Sequence, residues 1–466
     1  MVAAVCSAQT NEPFTFDCGP IASRHVNADG HLRLRVLGPF FEKTETPEGD
    51  DFWGLRPLYA QAEDSQAERK VHDFVWPLGS AKRFRNQASW RFLVAYSQRF
   101  DVTDPESRYR FWLLPVYFQG RDADGEGYVG VFPIGGKIHE ILGRDRVTFA
   151  LFPLWMHSTV NEAETTDVLW PIYSRTEGEG LDRVRVFPFY GKSSLEGKYE
   201  KRFVMWPFWT WARYKYAGSS GTGYIVFPLW GHIDLTDQES WMFLPPLFRF
   251  HEGQSLDYMY APWPIVQKSS GQIEKFYLWP LWGKKRMHGV TSSFALWPLF
   301  WREKIDRGDS IKRRFVAMPF VYSAVRRARD NEEKVLARYH KIWPLFSYRR
   351  EADVSRFRVL ALWPLEHTAP IERSWAPLWT LAHRTRVGER AETELLWGLY
   401  RHCSEGESYC YDSLFPLYSW RRDESGDIKT REWSLLKGLI GYKREGGQRS
   451  FRLLYFLRFG TKEKEQ

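Results

Sequence analysis

Few side chains in this chain have both the type and the spacing that chemistry requires. Gly125-Glu126-Gly127-Tyr128-Val129-Gly130 matches the G-x-G-x-x-G pattern of nucleotide-binding loops, but it leads into Val131-Phe132-Pro133, which reads as a strand. With no helix after it, the loop has no fan of backbone amides to cradle a phosphate, so a glycine-rich turn is expected. The 12 histidines are scattered, with no H-x-H, no H-E-x-x-H and no carboxylate at fixed spacing. Such imidazoles belong in core or surface positions and not on a metal. No G-x-S-x-G offers a nucleophile elbow, and the 4 cysteines form no C-x-x-C or Cys/His cluster. No catalytic, cofactor-binding or metal-binding residue is nominated, and a non-enzyme is expected.

Two thiol features remain. Cys403 and Cys410 bracket Ser404 to Tyr409. A four-residue loop would make them a close, non-hydrogen-bonded pair able to form a disulfide, whereas a two-residue loop would leave two free thiols. Cys6, with Ser7 and Ala8, ends a short apolar start that faintly resembles a lipoprotein box with the wrong residue before the cysteine. Residues 1–30 are therefore read either as the remnant of an export signal carrying a lipidation site at Cys6, or as an ordinary N-terminus.

Composition narrows the classes further. Lys plus Arg number 66 against 57 Asp plus Glu, giving +9, too mild a bias for the basic stripe of a nucleic-acid binder. The denser tracts, such as Lys312-Arg313-Arg314 and Arg349-Arg350, read as solvated strand ends or as contacts for anionic lipid, lipopolysaccharide or glycan. Aromatics make up 17% of the chain, with 23 Trp, and 26 prolines stand beside them. That density of proline excludes coiled coils and helical solenoids. Charges interrupt every apolar run within about ten residues, so no transmembrane helix is expected.

The prolines are periodic. Aromatic-Pro-aliphatic-aromatic recurs as Trp170-Pro171-Ile172-Tyr173, Phe187-Pro188-Phe189-Tyr190, Trp206-Pro207-Phe208-Trp209 and in further copies around Trp76, Trp279, Trp297 and Trp343. In all, 19 of the 26 prolines fit, mostly 16 to 21 residues apart, and Gly398 and Gly438 stand where proline is due. In the five positions centred on each such proline only Arg56 and Glu366 are charged; these two are read as locally capped or as marking a wet patch. Turn signals such as Ser194-Leu195-Glu196-Gly197 and Asp306-Arg307-Gly308-Asp309 recur at the same period.

A tandem repeat of ~19 residues with no room for a helix reads as all-β: an antiparallel meander of about 22–23 strands. Proline in the middle of each strand would remove a ladder donor, so aligned kinks or bulges are expected there. Apolar residues on both sides of the proline make Trp76, Trp170, Trp206, Trp279, Trp297 and Trp343, with Pro207, Pro280 and Pro298, the expected repeat core. Burying both faces favours a closed barrel-like or propeller-like ring. The segment from Val321 to Ile342 is the one candidate for a helical or elongated insertion. A Gly-Lys or Gly-His pair after the motif (Gly191-Lys192, Gly231-His232, Gly283-Lys284) marks a possible higher-order unit. Residues 31–460 then form a single repeat domain with a charged tail at 461–466. The expected function is a non-enzymatic bacterial cell-envelope protein acting at a membrane or cell-wall surface, in the periplasm or outer membrane. An integral outer-membrane β-barrel, a glycan-binding lectin and a cytoplasmic location are the alternatives.

Overall fold

The computed structural model describes residues 16–46, 49–331, 333–426 and 428–461. The chain is all-β, with 46 strands in one antiparallel meander sheet. Most strands have five or six residues, so each ~19-residue repeat holds two strands and two turns instead of one long strand. Ala163–Val168 and Tyr173–Gly178 are joined through Leu169 to Ile172; Glu179 and Gly180 then lead into Leu181–Val186.

The prolines therefore lie in turns, and the expected mid-strand kinks are absent among the described residues. In Leu169-Trp170-Pro171-Ile172 the closing hydrogen bond runs from the Ile172 N–H to the Leu169 carbonyl at 2.8 Å. The Trp170–Pro171 peptide is cis, which places proline at the third position of a type VI turn. No ladder donor is needed at that position, so the missing N–H costs nothing. Each turn is also tied to the one before it: the Leu169 N–H donates to the Leu154 carbonyl and the Trp170 N–H to the Pro153 carbonyl, both at 2.8 Å. Gly398 and Gly438 occupy the equivalent turn place at φ +98° and +102°, a conformation that suits glycine.

The sheet is not closed. Among the described residues, Phe16–Asp17 pairs with Ala22–Val26 alone and Leu457–Thr461 with Gln448–Leu453 alone. The expected ring fails because the apolar runs that called for two-sided burial are turns, which do not have to pack between layers.

The chain divides into two compact units, Met1–Arg85 with Pro319–Gln466, and Asn86–Met318. In the first unit, strands already begin within the segment set apart as 1–30. The segment from Val321 to Ile342 is an elongated hairpin of two eight-residue strands, Val321–Ala328 and Val335–Ile342. Helix appears elsewhere, as Ala369–Ser374 and Ala376–Trp379, each with proline in its first turn, where a missing N–H is harmless.

In the second unit, Phe118, Tyr128, Ile138, Val147 and Phe149 form a local apolar core. Farther along, the Gly-Lys pairs have a packing reason. Gly191 faces Phe203 and Gly283 faces Phe294 across the ladder. Each ring lies flat over its glycine, so that a Cβ would come within 2.1 Å and 2.3 Å of it.

Candidate functional site

Two features stand out: an apolar rim along one edge of the sheet, and a buried network of charges in the first unit. The rim follows from topology. In a meander, successive connections alternate between the two edges, and two turns per repeat send every motif turn to the same edge within a unit. In the unit Asn86–Met318 that edge carries Leu169-Trp170-Pro171-Ile172, Met205-Trp206-Pro207-Phe208 and Leu296-Trp297-Pro298-Leu299, while the opposite edge carries polar turns such as Asn161-Glu162 and Thr236-Asp237.

The rim side chains face solvent. Phe189 is 58% exposed, Phe208 54% and Leu229 64%. The aromatics before the prolines of several adjacent turns pack tilted against each other: Phe152 with Trp170 at 5.9 Å, Phe187 with Trp206 at 5.5 Å and Trp279 with Trp297 at 5.9 Å between ring centres. The residues expected as repeat core thus form a partly exposed ladder. Trp170, Trp206, Trp297, Pro280 and Pro298 are exposed, and Trp76, Trp279, Trp343 and Pro207 are half-buried. A turn at the end of a strand has no second layer above it, which is why these residues do not enter a core.

The charge network lies where strands near the two ends of the chain face each other inside the first unit. Alternation puts Arg33 and Arg35 on one face of Leu32–Val36, and Glu392 and Glu394 on one face of Arg390–Leu395. These faces meet. Arg35 pairs with Glu394, and Arg33 Nη1 lies 3.6 Å from Glu392. Arg401, 1% exposed, reaches Asp17 at 3.2 Å and donates to Ser23 Oγ at 3.1 Å. Arg56, one of the two charges inside the motif, is 4% exposed and donates to Glu42 at 3.1 Å and to the Pro39 and Arg373 carbonyls. Its capping partners are therefore both local and distant.

Burial opposes ionisation of Glu42, but Arg56, Arg33 and Arg35 hold its carboxyl well below the usual range. Burial likewise raises Glu394, and Arg35, His383 and Arg401 outweigh it and bring it down to about 2. Burial lowers His383 to about 4, and lowers His25 despite its 3.1 Å contact with Glu392.

His383, Glu392 and Glu394 offer ligand atoms within 4.8 Å of one another. Guanidinium groups already hold both carboxylates, so the set reads as part of an ion-pair network and not as a cation site. No local signal marked it in sequence. Arg-x-Arg and Glu-x-Glu look like solvated strand faces, and although Glu42 lies nearby in sequence, the Arg35–Glu394 pair spans 359 residues.

The remaining sequence candidates resolve simply. Gly125 sits in an open turn at φ +84° that leads into the strand Gly127–Val131. Asp122 accepts the Asp124 and Glu126 amides there, and no helix follows. Cys403 lies opposite Tyr411 and Cys410 opposite Ser404. The loop has three residues, so the two thiols project from opposite faces of the hairpin, and both are free. Cys6 lies outside the described residues, as does the tail beyond Thr461. Glu366 lines a small cavity of about 50 Å³ beneath the helices, together with Lys341, Arg358 and His367. No helix among the described residues is long and apolar enough to cross a membrane. No known protein family matches the chain, and a search of curated proteins finds no relative.

Proposed function

We propose that the protein is a non-catalytic membrane-surface protein that seats its apolar rim in the interfacial layer of a lipid bilayer. The observation that carries this reading is the row of solvent-facing Leu, Phe and Trp side chains at successive motif turns. Exposed apolar patches of this extent mark interaction sites. A row this long and regular suits a continuous medium better than a partner of defined shape. Tryptophan, amphipathic and abundant here, is the residue that bilayer interfaces favour.

Strand length argues against the integral barrel. Six residues rise about 20 Å, and a tilted membrane-spanning strand needs about 9–11 residues to cross some 30 Å of hydrocarbon. The placement in a cell envelope follows from the membrane reading and stands or falls with it.

Flotation of the full chain with phosphatidylcholine vesicles tests the proposal. Co-flotation with a blue shift of tryptophan emission is expected. A chain that stays at the bottom of the gradient with unshifted emission overturns it.

A further inference from the structure

We infer that one face of the sheet in the unit Asn86–Met318 binds the phosphate groups of anionic lipids in the bilayer on which the rim rests. The inference builds on the membrane reading above. It starts from ladder register, which fixes which side chains share a face.

Arg183 is opposite Ser193, and Ser193 is opposite Lys201. Partners then run through Ala212, Gly223, Ile233, Ser240 and His251 to Tyr258, Ser269, Lys275 and Lys285. Arg185 and Arg249 lie two residues along their strands from Arg183 and His251, on the same face. Six cations therefore share this face: Arg183, Arg185, Lys201, Arg249, Lys275 and Lys285. Between Leu181 and Ala295 no strand puts a carboxylate beside them. Asp182, Glu200, Asp234, Glu239, Glu252 and Glu274 all point to the other face. There four of them pair with basic side chains: Asp182 with Arg175 at 3.0 Å, Glu200 with Arg202, Glu239 with His232 at 2.9 Å and Glu274 with Arg286 at 3.4 Å. Among strand residues the nearest carboxylates on the cationic face are Asp167 and Glu303, at its two ends; at the polar edge the turn residue Asp237 accepts from Ser219 Oγ at 2.6 Å.

The cations are positioned without being neutralised. Lys201 Nζ sits 4.7 Å from the Tyr199 ring centre and 5.2 Å from that of Tyr214. Arg249 lies 5.1 Å from Tyr258, and Lys275 lies 5.1 Å from Tyr260 and 5.5 Å from Tyr277. Burial, and then the nearby Lys285, lower the Lys275 pKa. Small residues leave room among them: Arg183, Arg185, Lys201, Tyr199 and Tyr214 line a groove of about 670 Å³.

Height above the rim identifies the occupant. Arg185 and Arg249 are the second residues of their strands from the rim end, and Arg183, Lys201, Lys275 and Lys285 are the fourth. At about 3.4 Å per residue they form rows about 7 and 14 Å behind the turns. Apolar side chains that dip about 5–10 Å into an interface bring the nearer row level with headgroup phosphates and leave the farther row a few ångströms above them, within reach of long, flexible basic side chains.

The test compares vesicles of phosphatidylcholine alone with vesicles containing phosphatidylglycerol, at low salt. The proteins are the wild type and the triple variant Arg185→Gln, Lys201→Gln, Arg249→Gln, with circular dichroism confirming both folds. Each basic residue near an anionic surface contributes about fivefold in affinity. The variant should therefore lose on the order of 100-fold on anionic vesicles and nothing on neutral ones. Equal anionic binding by both proteins overturns the inference while leaving the rim reading intact. Binding of wild type to anionic vesicles alone, abolished in the variant, supports the inference and overturns the rim reading. If the wild type ignores both vesicle types but binds a soluble acidic polysaccharide through these residues, the occupant is a glycan and the lipid inference fails.

Discussion

Replacing Phe189, Phe208 and Leu229 together with serine removes the apolar residue after proline from three turns of the rim. Their exposures of 58%, 54% and 64% leave on the order of 100 Å² of apolar surface on each, taking about 200 Å² for a whole large side chain. Complete transfer of that surface from water is worth about 7 kcal/mol at roughly 25 cal/mol per Å². Turns immersed to half their depth would realise about half of it, a loss of more than 100-fold in partitioning. Folding should be spared, because solvent-facing substitutions usually change stability by no more than about 0.5 kcal/mol. The turn bonds, such as that from the Phe208 N–H to the Met205 carbonyl at 2.8 Å, belong to the backbone. The assay is equilibrium binding to neutral vesicles, with thermal unfolding run alongside. A variant that folds normally and binds within threefold of wild type would refute the reasoning, since no other part of the rim could compensate for so large a loss.

Four further outcomes are expected. Glu394→Gln and Arg401→Met each break the buried network on one side only, and each should cost about 3–5 kcal/mol, read as a lower denaturant midpoint. His25 and His383 titrate lower folded than unfolded, His383 at about 4, so the unfolded chain binds more protons below pH ~6.5. Stability should therefore fall as pH drops from 6.5 toward 4, and fall further as Glu394 is protonated toward its value of about 2; differential scanning calorimetry at stepped pH reads this, and a flat profile contradicts it. Gly191→Val places a branched side chain under the Phe203 ring and should destabilise by about 1–3 kcal/mol, measured by urea unfolding. Cys403 and Cys410 carry free thiols, so a reducing agent should leave the melting temperature unchanged; with burial raising the Cys403 pKa, that thiol should react with a disulfide reagent only after unfolding.

The repeat, its period and the all-β class were legible in the sequence, because proline, turn signals and charge avoidance recur together. The placement of proline was not. A run such as Phe203-Val204-Met205-Trp206-Pro207-Phe208-Trp209 is apolar throughout, which suggests one buried strand. In the fold it is the end of one strand, a turn and the start of the next: Val204 lies opposite Trp209 and Phe203 opposite Thr210. Hydrophobicity marks burial only when something lies above the residue, and a turn at a sheet edge has nothing there. Charge shows the converse. Arg33, Arg35, Glu392 and Glu394 carry no signal of burial in the sequence, yet they bury one another, because alternation fixes the face of a residue and not what covers that face. Arg56 was the one hint, a charge in a motif that otherwise excludes charge. The disulfide reading weighed a four-residue loop against a two-residue one; the loop has three, and that odd count, which spacing alone does not give, puts the two thiols on opposite faces.

The parity of the meander also bears on what the repeat is for. One strand added or lost between two motif turns would send the next turn to the opposite edge and break the rim. Irregularities are frequent, and each keeps its strand count even. Leu93-Val94 stands in for a proline turn, Leu396-Trp397-Gly398-Leu399 uses glycine instead, and two short helices replace the turn after the strand Val354–Val359. In the unit Asn86–Met318 the long polar loop from Phe100 to Arg108 falls on the polar edge. Folding alone does not require this. Hydrogen bonding between strands is indifferent to which edge a turn decorates, and exposed Leu and Trp give the sheet little stability in water. What parity preserves is the separation of an apolar edge from a polar one. That separation is what the proposed seating of the rim in a bilayer interface would require.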